Sequence, residues 1–220
     1  MNARGVVFDL DGTLVDSLAD LGESVNCALV ELGLEPHPLD VYRHFVGDGI
    51  VALVRRALGD AATSDSLVDD TVARVRAVYG ARWDRKTRPY PGIAATVATL
   101  GSTGLVLGVL SNKPHALTTA IVARFFPSDS FRAVLGAEAG YARKPDPAGA
   151  FELARRCGLA PEHCLYVGDT ATDMNTARRA RMTPIGALWG FRDALELREA
   201  GAVVLIAEPR ELIDVVGRFG

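Results

Sequence analysis

The sequence predicts an α/β protein built on a parallel β-sheet, with a helical domain inserted after the first strand. Three observations predict it. An apolar run, Val6–Phe8, leads into Asp9 and is typical of a buried strand. Between Ser17 and Lys86, apolar residues recur only at helical spacing. From Pro89 onward, strand and helix patterns alternate, which is typical of a parallel sheet covered by helices on both faces.

The inserted segment contains four predicted helices. The first begins at Asp16 or Ser17, either of which can cap a helix, and Gly33 is expected to end it. Its apolar stripe has three- and four-residue spacing and consists of Leu18, Leu21, Val25, Leu29 and Leu32. Further helices are predicted at residues 41–45, 50–58 and 67–83. We therefore predict a helical bundle over residues 16–88, between the two parts of a core domain, residues 1–15 and 89–220.

The core domain supplies the remaining strands and helices. Strands are predicted at residues 105–110, 133–135, 164–167, 184–188 and 203–206. Helices are predicted at residues 116–126, 147–157, 171–181, 194–200 and 209–219, and Phe151, Leu153 and Ala154 are expected to face inward from the second of these.

Polar side chains directly follow three of these apolar strands. They are Asp9 and Asp11 after the first strand, Ser111 and Asn112 after the second, and Asp169 after a later one. Ligands of such sheets lie beyond the carboxyl ends of the strands, so these groups are expected to converge. Two crowded carboxylates repel each other unless a cation lies between them, and a hard divalent cation with oxygen ligands suits the pattern. The alternative for the first pair is a polar turn that closes the strand.

Composition excludes several classes of function. The net charge of −3 argues against broad binding of nucleic acid or anionic membranes. The three cysteines are widely spaced and odd in number, which is typical of free thiols in a reducing compartment. With no apolar run long enough to cross a bilayer and no signal segment at the start, we expect a cytoplasmic protein.

Four separated motifs together resemble the haloacid dehalogenase-like hydrolase superfamily. They are Asp9-Leu10-Asp11-Gly12-Thr13, Ser111-Asn112, Arg143-Lys144-Pro145-Asp146-Pro147 and Gly168-Asp169-Thr170-Ala171-Thr172-Asp173. Each motif alone is a weak signal, but the four in this order are specific. The resemblance implies a three-layer, Rossmann-like core whose helical insertion is a cap domain. The cap run Phe45–Gly49 and the later run Leu188–Phe191 are similar to the phosphoglycolate phosphatase group.

The resemblance implies an acidic catalytic centre. Asp9 would be the nucleophile that attacks phosphorus and carries an aspartyl-phosphate. Asp11 would protonate the leaving oxygen and then act as base on the hydrolytic water. Mg²⁺ would be held by the carboxylates of Asp9 and Asp169 and the backbone carbonyl of Asp11.

The resemblance also implies a phosphate-binding set. Ser111 and Asn112 would donate hydrogen bonds to the phosphoryl oxygens, together with Gly12 and Thr13, and Lys144 would neutralise the remaining charge. Asp173 would lie in the outer metal shell or hold Lys144.

Substrate specificity is expected to come from the cap. Gly47 and Gly49 would allow close approach to a substrate carboxylate, and Arg55 or Arg56 could pair with the anion. Asp48 departs from the uncharged residue expected in this group, and its charge makes 2-phosphoglycolate a less obvious substrate.

The function expected from these features is Mg²⁺-dependent hydrolysis of a small phosphomonoester, with 2-phosphoglycolate as the best single substrate. A monomer or homodimer with no nucleic-acid or membrane partner is expected. Two alternatives stay open. A sugar-phosphate phosphomutase would use a related cap, and a receiver-like phosphoacceptor would also use an acidic cluster, Mg²⁺ and a lysine. A receiver, however, would carry no helical insertion after its first strand.

Overall fold

A computed structural model of the chain describes residues 3–137 and 140–219. The chain divides into two compact units, one formed by residues 1–15 and 89–220 and the other by residues 16–88. Strands in the described residues are β1 (Gly5–Phe8), β2 (Val15–Asp16), β3 (Arg88–Pro89), β4 (Val106–Pro114), β5 (Ala133–Ala137), β6 (Cys164–Gly168), β7 (Thr183–Ala187) and β8 (Val204–Ile206). The short strands β2 and β3 pair with each other.

Four α-helices lie in the smaller unit and six in the larger one, within the described residues. They are α1 (Leu18–Glu31), α2 (Tyr42–Phe45), α3 (Ile50–Leu58), α4 (Asp65–Gly80), α5 (Ile93–Ser102), α6 (His115–Phe125), α7 (Ala148–Cys157), α8 (Ala171–Arg179), α9 (Ala194–Glu199) and α10 (Glu211–Phe219). Single 3-10 turns span Leu39–Val41, Gly59–Ala61 and Pro161–His163.

The larger unit is organised on a six-stranded sheet with the order β5-β4-β1-β6-β7-β8. Each pair of neighbouring strands in the sheet is parallel, which confirms the predicted fold class. The strand β1 is buried along its whole length and lies between β4 and β6. Because all strands run the same way, the residues that follow β1, β4 and β6 meet at one edge of the sheet.

Three details differ from the predicted elements. Helix α5 was not predicted from the sequence, although its buried residues Ile93, Val97 and Leu100 have helical spacing. Strand β4 continues through the polar residues after Leu110 as far as Pro114, and all but the last of these are buried. The predicted inward position of Phe151 is wrong, because its side chain is 42% exposed. The predicted inward positions of Leu153 and Ala154 are confirmed, and Ala150 completes the buried face of α7.

The smaller unit is a helical bundle in which α1 packs against α4 and α3 packs against α4. Its buried apolar residues include Val25, Leu29, Leu53, Val54, Val68 and Val75. One buried carboxylate, that of Asp20, closes the bundle. Its Oδ2 accepts hydrogen bonds from the backbone N–H groups of Lys86 and Thr87, both at 2.8 Å, and from the Thr87 hydroxyl at 2.9 Å. Asp20 therefore ties the start of α1 to the last residues of the same unit.

In the part of the chain that the structure describes, no helix has the length and apolar character that a membrane span requires.

Candidate active site

The sheet register places the ends of β1 and β6 side by side. Phe8 pairs with Val167, and the backbone N–H of Asp9 donates to the Val167 carbonyl at 2.9 Å. Asp9 and Asp169 therefore leave two adjacent strands at the same level, although they are far apart in the sequence.

Three carboxylates gather at this edge. Oxygen atoms of Asp9, Asp169 and Asp173 all lie within 4.8 Å of one another, and all three residues are buried. One ammonium group contacts two of them. Lys144 Nζ lies 2.7 Å from Asp9 Oδ1 and 2.7 Å from Asp173 Oδ1. The structure therefore brings together four residues that the sequence analysis drew from three separate motifs.

Asp169 is held by two donors and by close packing. The Thr13 hydroxyl donates to Oδ1 at 3.0 Å, and the backbone N–H of Phe191 donates to Oδ2 at 2.8 Å. Gly12 has a φ of +89°, and a Cβ atom there would lie 2.2 Å from Asp169 Oδ2. A Cβ atom on Gly190 would lie 2.2 Å from the Asp169 Cβ. Both glycines are required because any side chain would displace this carboxylate.

Asp173 makes two sets of contacts in the structure, one with each carboxylate oxygen. It forms a capping box with Thr170 at the start of α8, in which the Thr170 hydroxyl donates to Asp173 Oδ2 at 2.6 Å. Its other oxygen holds Lys144. Of the two positions considered for Asp173, the contacts favour the one that holds Lys144.

Asn112 fixes the backbone of Lys144. Its side-chain oxygen accepts from the Lys144 N–H at 2.8 Å, and its side-chain nitrogen donates to the Lys144 carbonyl at 3.1 Å. The ring of Tyr166, on β6, lies below the ammonium, with Nζ 6.0 Å from its centroid. Lys144 is thus positioned from its backbone as well as from its charged end.

Crowding and burial shift the charge states of this cluster. Burial, and then the charge of Asp173, raise the pKa of Asp9 to about 7 despite the opposing effect of Lys144. Burial and the charges of Asp173 and Asp9 raise the pKa of Asp169 well above its usual value. Burial lowers the pKa of Lys144, but the two carboxylates outweigh it and hold that pKa well above its usual range.

These carboxylates fit a divalent cation. Three buried acidic groups face a single ammonium group, so the cluster would carry an excess of negative charge if all three were ionised. Burial, and then the mutual repulsion of the carboxylates, raises the pKa values of Asp9 and Asp169 against that state. Carboxylate oxygens are the ligands that Mg²⁺ prefers, and a cation bound among them would restore their ordinary ionisation.

Asp11 lies beside the cluster with a partner that the sequence analysis missed. Lys113 Nζ lies 2.8 and 3.0 Å from the two carboxylate oxygens of Asp11. A lysine directly after Ser111 and Asn112 was the available signal. We expected β4 to end at Leu110, which would have left Lys113 in a solvated loop, but its side chain is only 4% exposed.

The backbone N–H groups of Gly12 and Thr13 donate hydrogen bonds to backbone carbonyls of the same turn. The backbone N–H of Gly12 donates to Val15 at 2.9 Å and that of Thr13 to Leu10 at 3.3 Å. These contacts shape the turn that carries Asp11. Binding of phosphate by Gly12 and Thr13 stays a prediction.

The predicted specificity residues of the helical unit lie at both ends of α3, with Gly47 and Gly49 before its start and Arg55 and Arg56 in its last turn. Gly47 and Gly49 have φ values of 127° and 90°, and Gly49 caps the helix. Arg55 pairs with Asp65, and Arg56 pairs with Asp48 and donates to the Phe45 carbonyl at 2.8 Å. The negative charge of Asp48 is therefore balanced within the unit.

Comparison with known proteins gives a consistent family. The family model described as haloacid dehalogenase-like hydrolase matches residues 6–187. The chain is 32% identical to a phosphoglycolate phosphatase of Pseudomonas putida, over 96% of this chain and 78% of that protein. It is 34% identical to a phosphoglycolate phosphatase of Haemophilus influenzae, over 95% of this chain and 96% of that protein. A crystal structure of a predicted phosphoglycolate phosphatase from Haemophilus somnus superposes with a TM-score of 0.90 at 26% identity, covering 98% of both chains.

Proposed function

The chain belongs to the haloacid dehalogenase-like hydrolase family, and we propose that it hydrolyses a small phosphomonoester, 2-phosphoglycolate above others, through an aspartyl-phosphate on Asp9. The relatives named as phosphoglycolate phosphatases match nearly the whole chain and indicate a phosphoric monoester hydrolase. The same names support 2-phosphoglycolate as the preferred substrate.

The carboxylates of Asp9 and Asp169 and the backbone carbonyl of Asp11 would hold Mg²⁺. When bound, Mg²⁺ supplies positive charge that lets an anionic carboxylate approach an anionic phosphate. Asp173 would stay outside the direct ligands, because it pairs with the charge of Lys144 and caps α8, whereas the two donors that hold Asp169 are uncharged.

Asp9 is the proposed nucleophile. Its Oδ1 lies 2.7 Å from Lys144 Nζ, which holds the carboxylate in place directly after β1. Attack of an Asp9 oxygen on phosphorus forms the acyl-phosphate as the bond to the leaving oxygen breaks. Lys144 neutralises charge on both Asp9 and the phosphoryl group, and Asp173 and Asn112 keep it in place.

Asp11 is the proposed general acid and base. It gives its proton to the leaving oxygen in the first half-reaction and takes a proton from the attacking water in the second. The water oxygen then forms the new bond to phosphorus, and the bond between phosphorus and Asp9 breaks.

Ser111 and Asn112 are the proposed phosphate donors at the end of β4. The hydroxyl of Ser111 accepts from the Lys113 N–H at 3.1 Å, so its own proton can point toward a phosphoryl oxygen. The side-chain amide of Asn112 bonds Lys144, so we assign its phosphate contact to the main chain.

The observation that carries this function is the buried cluster of Asp9, Asp169 and Asp173 with Lys144 between two of its members. A phosphate-release assay over a panel of small phosphomonoesters, with Mg²⁺ and with a chelator, tests it. We expect release that requires the metal and is fastest for 2-phosphoglycolate. Retention of phosphate together with a need for a bisphosphate activator would indicate a mutase instead. A stable aspartyl-phosphate without turnover would indicate a phosphoacceptor.

A further inference from the structure

The second buried lysine of the site, Lys113, has no part in the function proposed so far. We infer that Lys113 is a positioning residue that holds the Asp11 carboxylate in place for proton transfer. This inference rests on the proposed role of Asp11. It differs from the role of Lys144, which contacts the nucleophile and not the acid.

The backbone of Lys113 is fixed at both ends. Its N–H donates to the Ser111 hydroxyl at 3.1 Å, and its carbonyl accepts from the Thr118 hydroxyl at 3.1 Å. Strand β5 approaches closely at this point, since a Cβ atom on Gly136 would lie 2.6 Å from the Lys113 carbonyl oxygen. The ammonium group of Lys113 therefore starts from a well-defined place in the sheet.

Strand pairing brings the segments that carry Lys113 and Asp11 to the same edge of the sheet. In the register of β1 and β4, Phe8 pairs with Val109, and Asp11 and Lys113 follow these two residues along their chains. One ammonium group then reaches both oxygens of Asp11, at 2.8 and 3.0 Å. Contact with both oxygens restricts rotation of the carboxylate, which a single hydrogen bond would not do.

Asp11 needs such a partner because of its neighbours. It lies two residues from Asp9, in a turn shaped by Gly12, beside a cluster with an excess of negative charge. Repulsion would drive its carboxylate away from the cluster and into solvent. A proton-transfer group must be held close to its working position, because small displacements lose much of its contribution. Lys113 supplies the opposing attraction from a buried position.

A role through Asp11 predicts a particular pattern of lost activity. An alkyl ester needs a proton on its leaving oxygen, whereas p-nitrophenolate leaves without one. Removing Lys113 should therefore slow cleavage of alkyl esters and leave attack of Asp9 on p-nitrophenyl phosphate almost unchanged. A residue needed only for folding would affect both substrates alike.

The experiment compares Lys113→Met, Lys113→Arg and the wild type in rapid-mixing assays. We expect Lys113→Met to lower kcat for the best alkyl ester by about tenfold or more, with KM changed less than about threefold. The rate of the initial burst of p-nitrophenol should stay within about threefold of the wild-type rate, because Asp9 is unchanged. Lys113→Arg should recover part of the alkyl-ester activity, since a guanidinium group can also contact both oxygens. Lys86→Met is the matched control, because Lys86 is an exposed lysine of the helical unit paired with Glu23.

A double variant tests whether Lys113 acts through Asp11. Adding Lys113→Met to Asp11→Asn should cost less than about twofold beyond Asp11→Asn alone. Equal losses on both substrates, full alkyl-ester activity of Lys113→Met, or an additive loss in the double variant would each overturn the role of Lys113 alone. A wild type that releases no phosphate from any ester would overturn the proposed function and this role with it.

Discussion

Both units of the molecule bury aspartates, but they satisfy them in opposite ways. In the helical unit, Asp20 is fully buried and accepts three hydrogen bonds from uncharged donors, two backbone N–H groups and one hydroxyl. In the sheet unit, Asp9, Asp169 and Asp173 crowd one another around a single lysine. Uncharged donors hold one oxygen of Asp20, whose Oδ1 has no hydrogen-bond partner among the described residues, whereas neighbouring carboxylates create a demand for a cation.

The contrast separates a structural carboxylate from a functional one without reference to sequence motifs. The Asp20 carboxylate is held inside the fold through one oxygen, Oδ2, by uncharged donors of its own unit. A carboxylate cluster whose pKa values are raised costs folding free energy, and such costs are typical of sites that bind a ligand or perform chemistry. The pairs of the two surface arginines of α3 form a third, weaker class, because both partners are exposed.

The largest effect is expected at Asp9. Asp9→Asn should lower turnover by about a thousandfold or more, because an amide is a poor nucleophile for phosphorus. The substitution also removes one of the crowded charges. In metal-free buffer at about pH 8, the variant should therefore be at least as stable as the wild type.

Phosphate release and thermal unfolding measured on the same preparation check both halves of this prediction. Activity above about one hundredth of wild type would remove Asp9 from the chemistry. Lost activity together with a much lower melting temperature would instead place Asp9 with Asp20 as a structural carboxylate.

The next largest effect is a loss of stability without a change in chemistry. Asp20→Ala leaves two backbone N–H groups and the Thr87 hydroxyl without their acceptor, at a cost of about 3 kcal/mol. Urea denaturation should show the loss. Asp20→Asn, which keeps one carbonyl oxygen, should show a smaller one.

Turnover per folded molecule in Asp20→Ala should stay within about threefold of wild type at a temperature where the variant is folded. A loss of kcat comparable to that of Asp9→Asn would show that the distinction between the two carboxylates is wrong.

The charge cluster itself predicts a smaller, pH-dependent effect. Because the pKa of Asp9 is raised from 3.8 to about 7, its protonated form is favoured by folding. The metal-free protein therefore loses this contribution as the pH rises through about 7. A bound cation replaces that proton, so the Mg²⁺ concentration needed for half of the full thermal shift should rise about tenfold between about pH 8 and about pH 6.

Melting curves over a Mg²⁺ series at the two pH values measure this shift. The Asp9→Asn variant is the control and should show a much weaker dependence of its metal affinity on pH. A wild-type midpoint that is independent of pH would show that Asp9 is not a ligand.

The sheet and the carboxylates could be predicted from the sequence because both depend on local patterns. Apolar runs marked the strands, and the rule for parallel sheets gathered Asp9, Asp169 and the end of β4 at one edge. The place of Lys113 was missed because β4 continues past its apolar part, and a lysine after a strand is ordinarily exposed.

The hydrogen bonds and ion pairs between residues distant in the chain could not be predicted from the sequence. The phosphate contact of Asn112 stays a prediction, and no motif indicated that its side chain bonds the backbone of Lys144, 32 residues away. That contact joins residues far apart in the sequence, which no local pattern records. The pairing of Arg56 with Asp48 is of the same kind, since it depends on the bend before α3.

The smallest effect is expected at the two arginines of α3. It tests whether these arginines, which form surface ion pairs, can bind the carboxylate of the substrate. We propose that Arg55 and Arg56 attract the carboxylate of the substrate, and each already has an exposed carboxylate partner that a ligand could replace. Exposed pairs contribute about 0–1 kcal/mol, so Arg55→Ala and Arg56→Ala should each raise KM for 2-phosphoglycolate by no more than about fivefold, with kcat unchanged.

Asp48→Asn is the informative counterpart, because it releases Arg56 and removes a negative charge, and should lower the same KM. Steady-state kinetics with 2-phosphoglycolate and with a phosphate ester that has no carboxylate measure the difference. Equal changes for the two substrates, or none in either arginine variant, would leave the arginines as surface pairs with no part in recognition.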